Sequence, residues 1–377
     1  MLRDVLRWDR VEGPLEVYEK EFESRAESRL GRAIAECGEV DSRISEGLRD
    51  IIANAPILSV CRVAVAPELE YKLRRSAVGG DGRRELVTFL RTAFEAEAAL
   101  SAKGVYCPEA EEAWTALGDY RIRCGHREPI VKIDEYEGGS EPTCSIVCEC
   151  RLAGRIPVDY ESPYNRADFS LRFPQFSALP EVERERVSDK LAGALEIVRR
   201  GGSQVERFVF SFTRVIVPSV IPDVGKSCGS FSSSWYPGRS VLINPHLPVM
   251  TQFDMAAALV HEAIHSVIDI SELGSRLIAP GYDLKPSVFS PWTGAKLSLQ
   301  SLLDAYFVWF GLLRFWMRVG AHNGTDGGAL AHRMYQCRNG FVQSLDDVCG
   351  SAINGVHQFA RKKINELRDE VLAASKC

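Results

Sequence analysis

The run Met255-Ala256-Ala257-Ala258-Leu259-Val260 leads without a break into His261-Glu262-Ala263-Ile264-His265. Nothing in it opposes a helix, and residues four apart on a helix share a face, one turn above each other. His261 and His265 therefore converge, with Glu262 displaced around the axis by about a hundred degrees. The apolar run buries this helix. Two imidazoles and a carboxylate buried together are costly unless they are bound or paired. One metal ion held by His261 and His265 removes that cost, and Glu262 then stands where the general base of a zinc peptidase holds its water. Two core histidines satisfied by backbone carbonyls are the alternative to a metal.

What completes such a centre is less fixed by pattern. The extended metzincin motif needs a glycine and a third histidine in the next two turns, and Ile268 and Ser271 occupy those places. That class is excluded. Asp304 lies in Leu302-Leu303-Asp304-Ala305-Tyr306-Phe307 on a second apolar segment, where an unpaired carboxylate is costly. Two histidines from one helix and Asp304 from another make a two-histidine, one-carboxylate face with open positions, the arrangement of non-haem iron(II) oxygenases. A structural ion pair of Asp304 with Lys296 or Arg314 is the competing explanation.

The rest of the 377-residue chain frames this segment. With 45% hydrophobic and 26% charged residues it reads as globular, and a net charge of −5 without a basic stripe argues against a nucleic-acid binder. Leu297 to Met317, its most apolar window, contains Asp304 and Arg314 and is too polar for a membrane span. The charged first ten residues do not form a signal peptide. Together these features predict a soluble, cytoplasmic protein. Its 11 cysteines suit reduced thiols. Cys144, Cys148 and Cys150 share a strand face but lack the spacing of a zinc site.

The expected class is α+β, predominantly helical, in three parts: a helical domain over 1–125, an irregular or β connection over 126–178, and a zincin-like strand and helix metal-binding domain over 179–377. Within the last part, Pro180 with Glu181 and Glu183 opens a helix that Gly201-Gly202 ends. The β-branched and aromatic run Arg207 to Val217 predicts a strand stopped by Pro218, and Ser240 to Asn244 a second. Gln252 to Ile270 and Lys296 to Val319 predict helices. Ser232, Ser233 and Ser234 form either a polar turn or an edge for an extended peptide.

In order, a Ser-rich strand pair, then Leu259-Val260-His261-Glu262 with His265, then Ser290-Pro291-Trp292, then an apolar helix ending Leu313-Arg314-Phe315-Trp316 resembles the HExxH-motif peptide-modification proteins of bacterial natural-product clusters, which include 2-oxoglutarate-dependent peptide β-hydroxylases. The resemblance covers roughly residues 180 to 320. It implies a mononuclear iron(II) site with His261 and His265 as ligands, using 2-oxoglutarate and dioxygen. Many relatives continue Pro-Trp-Arg with a second Arg, whereas Thr293 and Lys296 stand here. The clamp for the oxo-acid carboxylate then falls to Lys296, Arg239 or Arg314.

The function expected is a metal-dependent oxygenase that hydroxylates a peptide or carrier-bound amino acid. A zinc hydrolase with Glu262 as base is the first alternative, and a non-catalytic peptide-binding protein the second.

Overall fold

The computed structural model describes residues 2–8, 12–38, 42–102, 108, 112–124, 144–148, 150–165, 177–221, 227–272, 277–280, 282, 288–321 and 327–374. The chain is a mostly helical α+β protein. Its helices are α1 (Leu2–Leu6), α2 (Glu12–Gly38), α3 (Ser42–Asn54), α4 (Ile57–Val65), α5 (Pro67–Ser76), α6 (Gly80–Ser101), α7 (Glu181–Arg200), α8 (Ser203–Phe212), α9 (Gln252–Glu272), α10 (Leu299–Ala321), α11 (Gly327–Asn339), α12 (Leu345–Cys349) and α13 (Gln358–Ala373). Among the described residues no helix is long and apolar enough to cross a membrane.

The chain forms two compact units, and neither is continuous in sequence. One comprises Met1–Glu19, Gly193–Phe212 and Gln252–Cys377; the other comprises Lys20–Ala192 and Thr213–Thr251. These divisions do not coincide with the segments 1–125, 126–178 and 179–377. Strands also begin earlier than expected, because β1 (Glu112–Trp114) and β2 (Tyr120–Cys124) pair antiparallel within the first 125 residues. Residues 126–143 lie outside the described residues. β2 then pairs with β3 (Cys144–Cys148), so the alternating cysteine stretch is indeed a strand as far as Cys148.

The second unit packs α5 on α6 around Leu69, Leu73, Leu86, Phe89 and Leu90. Gly82 permits that approach, since a Cβ there would lie 2.2 Å from the Arg75 carbonyl oxygen. The unit also holds a short hairpin, β4 (Arg151–Leu152) with β5 (Ile156–Pro157). Its four-stranded sheet is built from β6 (Ser177–Ala178), β7 (Val215–Val220), β8 (Gly229–Phe231) and β9 (Arg239–Ile243) in the order β6-β7-β9-β8. β7 and β9 are parallel, the other pairs antiparallel.

Here the strand expected over Arg207 to Val217 is corrected. Residues Ser203–Phe212 are helix α8, because Val205, Phe208, Val209 and Phe212 repeat at three- and four-residue spacing and all four are buried. The strand starts at Val215 and runs through Pro218, which pairs in register with Leu242. On its other side Val158 bridges Ile216 and β6 pairs only with Ser219 and Val220. Pro218 therefore falls in a gap where its missing N–H leaves no ladder bond unmade.

Glu68, at the start of α5, lies 4% exposed beside a cavity with room for about one water molecule, 20 Å³. Its Oε1 is 3.6 Å from Lys72 Nζ, and burial pushes its carboxyl from the ordinary 4.5 up to about 7. The folded chain thus binds a proton that the unfolded chain has released between pH 4.5 and 7. Stability is expected to fall as pH rises through that window, by about 3 kcal/mol in all. Urea titrations of wild type and Glu68→Gln at pH 5 and pH 8 check this, the variant losing the slope.

The first unit centres on α9 and α10, which pack against each other. Phe253 near the start of α9 meets Trp316 near the end of α10 at 6.1 Å between ring centroids. Further along α9, Ile264 lies against Gly311, five residues and more than one helical turn before Trp316 on α10. The helices therefore run antiparallel. α8 also packs on α9, while α1, α11 and α13 pack on α10.

Candidate metal centre

Met255, Ala256, Leu259, Val260, Ala263, Ile264 and Val267 are all fully buried along α9. The apolar run thus does what its pattern predicts and fixes the rotation of the helix. His261 and His265, one turn apart, are half-buried, whereas Glu262 is wholly buried.

The two Nε2 atoms stand 3.1 Å apart, with ring planes inclined at 48°. An ion about 2.1 Å from each nitrogen, the usual metal–imidazole distance, fits between them. One N–H···N bond would also fit that distance, but it is worth only about 1 kcal/mol. Glu262 Oε1 lies 3.9 Å from His261 Nε2. The ligand atoms of His261, Glu262 and His265 all fall within 4.8 Å of one another, and among the described residues this is the group of three or more able to hold an ion. Burial pushes both imidazoles from 6.5 down to about 4, and the neighbouring His261 adds to the effect at His265. Both rings are neutral at physiological pH and offer a lone pair rather than a second proton. His261 keeps 33% of its side chain exposed, so the centre has an opening.

Asp304 is not part of this group. It is half-buried on α10 and accepts a hydrogen bond from Gln300 Nε2 at 3.0 Å. The physical reason is register. Gly311 is the residue of α10 that meets Ile264, and Asp304 stands seven residues before it, about 10 Å along the axis. Arg314, ten residues beyond Asp304, is about 15 Å away along the same helix, too far to pair with it. The apolar neighbours that suggested deep burial, Leu302, Leu303, Tyr306 and Phe307, occupy the other sides of α10.

The three basic residues expected as an oxo-acid clamp lie on separate elements. Lys296 is exposed in β11 (Lys296–Leu297), which pairs with β10 (Val288–Phe289). Arg314 is half-buried on α10. Arg239 belongs to the other unit, where it is 3% exposed and its guanidinium carbon sits 3.4 Å from the centre of the Tyr236 ring. Ser233 takes the polar-turn role, its carbonyl accepting the Tyr236 N–H at 2.8 Å.

Ser290-Pro291-Trp292 forms a tight anchor. Ser290 Oγ accepts the backbone N–H groups of Trp292 and Thr293 at 3.3 and 3.2 Å. Trp292 Nε1 donates to the Cys337 carbonyl at 2.9 Å, and its ring stacks on Trp309 and meets Tyr306 and Phe341 edge-on. Gly340 makes room, since a Cβ there would lie 2.1 Å from the indole. Trp292 is half-buried, and Trp292→Ala is expected to cost about 2–3 kcal/mol of unfolding free energy, less than the roughly 3–5 kcal/mol of a fully buried aromatic, read from urea midpoints.

No protein-family model matches the chain, and no curated protein matches it.

Proposed function

We propose that the protein is a metal-dependent enzyme, a mononuclear non-haem iron(II), 2-oxoglutarate-dependent oxygenase that hydroxylates a peptide or carrier-bound amino acid. The supporting observation is that three of the segments of the family resemblance, the histidine helix, the Ser-Pro-Trp turn and the apolar helix, belong to one packed unit, while the strand pair belongs to the other. α9 carries the histidines, α10 packs on it through Ile264 and Gly311, and Trp292 of the Ser-Pro-Trp turn packs on Tyr306 and Trp309 of α10. His261 and His265 would hold the ion as neutral ligands. With two histidine ligands, and even were Glu262 of the same group a third, at least three positions of a six-coordinate ion stay open, the number needed by a chelating oxo-acid and dioxygen. Bound iron with 2-oxoglutarate supplies dioxygen activation, the oxo-acid being decarboxylated to succinate as the substrate carbon is hydroxylated.

A zinc hydrolase is the second reading, and one observation favours it. The carboxylate beside the ring nitrogens is Glu262 rather than Asp304, placed to take a proton from water attacking a peptide carbonyl. Metal analysis of protein purified without added metal, followed by anaerobic titration with iron(II) and 2-oxoglutarate, separates the two. A visible charge-transfer band on 2-oxoglutarate addition supports the oxygenase. Stoichiometric zinc with no response to 2-oxoglutarate overturns it in favour of the hydrolase.

A further inference from the structure

Leu6 and Trp8 of the segment Leu2–Trp8 touch α10 at Gly311, where it meets α9. Trp8 is fully buried and adopts φ 59°, a left-handed conformation that bulky residues hold only when their surroundings impose it. Its Nε1 donates to the Gly311 carbonyl at 3.0 Å, and its ring meets Phe208 of α8 edge-on at 4.9 Å. Gly311 is also where α10 approaches α9. A Cβ on Gly311 would lie 2.6 Å from Ile264 Cδ1 and 3.3 Å from Leu6 Cδ2. Ile264 immediately precedes His265. The segment is fixed at its outer side by Arg7 Nε to Glu370 Oε1, 2.9 Å, and by Arg3 to Glu366, 3.2 Å.

We infer that Trp8 is a positioning residue for the metal centre: wedged between α8 and α10, it sets the level at which α10 bears on Ile264 and so the placement of His265 relative to His261. This rests on the metal-centre reading above. Gly311 contributes no side chain to this contact, so only the Ile264 side chain lies between the two backbones, and close packing limits how far it can take up a shift of α10 before α9 moves. The Trp8 indole spans the gap with one directional bond and a rigid ring, and a phenyl ring carries no donor to make that bond.

Cobalt(II) titration of the full chain tests this, with visible absorption of the bound ion as readout. Trp8→Phe keeps an aromatic ring and removes the bond to Gly311. It is expected to stay folded by circular dichroism, to bind cobalt on the order of tenfold more weakly, as when a group orienting a ligand is lost, and to show an altered visible band. Arg7→Gln loosens the same segment without touching Gly311 and is expected to lower the melting temperature while leaving the band unchanged. Wild-type affinity and band in Trp8→Phe overturn the inference, as does an equal change of band in Arg7→Gln. Should Trp8→Phe not fold, Gly311→Ala presses on Ile264 from the other side, and an unaltered cobalt band in that folded variant overturns it equally. Wild type that binds no cobalt defeats the metal-centre reading itself, a result distinct from these.

Discussion

His265→Ala is expected to give a folded protein that no longer retains a divalent ion. His265 is half-buried on a helix whose other side is anchored by Leu259, Val260, Ile264 and Val267, and Ala is the best helix former. The helix therefore survives the change, while one of the two nitrogen donors disappears. Structural zinc sites with four protein ligands gain roughly 10–16 kcal/mol, so about 3 kcal/mol per ligand is a fair share, a loss of roughly two orders of magnitude in affinity. Competition against a chromophoric chelator reads this directly, and unchanged circular dichroism separates it from unfolding. An affinity equal to wild type would place the ion elsewhere in the chain.

Glu262→Gln is expected to separate metal binding from proton transfer. The carboxylate is wholly buried and lies 3.9 Å from His261 Nε2, so the isosteric amide keeps the packing and removes both the charge and the base. The ion should remain bound. If the centre hydrolyses peptides with Glu262 as general base, turnover falls by about 10²–10⁴, the usual worth of such a group. For the oxygenase, the 2-oxoglutarate charge-transfer band in the iron(II) protein is expected to persist. Measuring the band and peptide cleavage on the same variant decides between these outcomes. Loss of the ion in Glu262→Gln would instead make the carboxylate a ligand.

The helix bearing the histidines was legible because its apolar positions repeat at helical spacing on both sides of the motif, from Met255 to Val267. The α+β class and the strand at Arg239–Ile243 were legible for similar reasons. The segment Ser203–Phe212 was not, because Phe208, Val209, Phe210 and Phe212 carry strand-favouring side chains while their burial follows a helix. Asp304 shows a different limit. Its neighbours in sequence are buried, but a helix has several sides, and the level at which α10 meets α9 is set by Gly311 and Ile264. That register is a long-range property with no local signature. The contact between Trp8 and Gly311, 303 residues apart in sequence, is beyond local reading for the same reason.

X-ray absorption at the edge of the bound metal, on full-length protein reconstituted with one equivalent of iron(II) or zinc, tests the His261–His265 centre most directly. The expected spectrum shows nitrogen and oxygen neighbours at about 2.0–2.2 Å with outer-shell scattering from two imidazole rings. Sulfur neighbours near 2.3 Å, the zinc–thiolate distance, or no imidazole scattering at all, would contradict it.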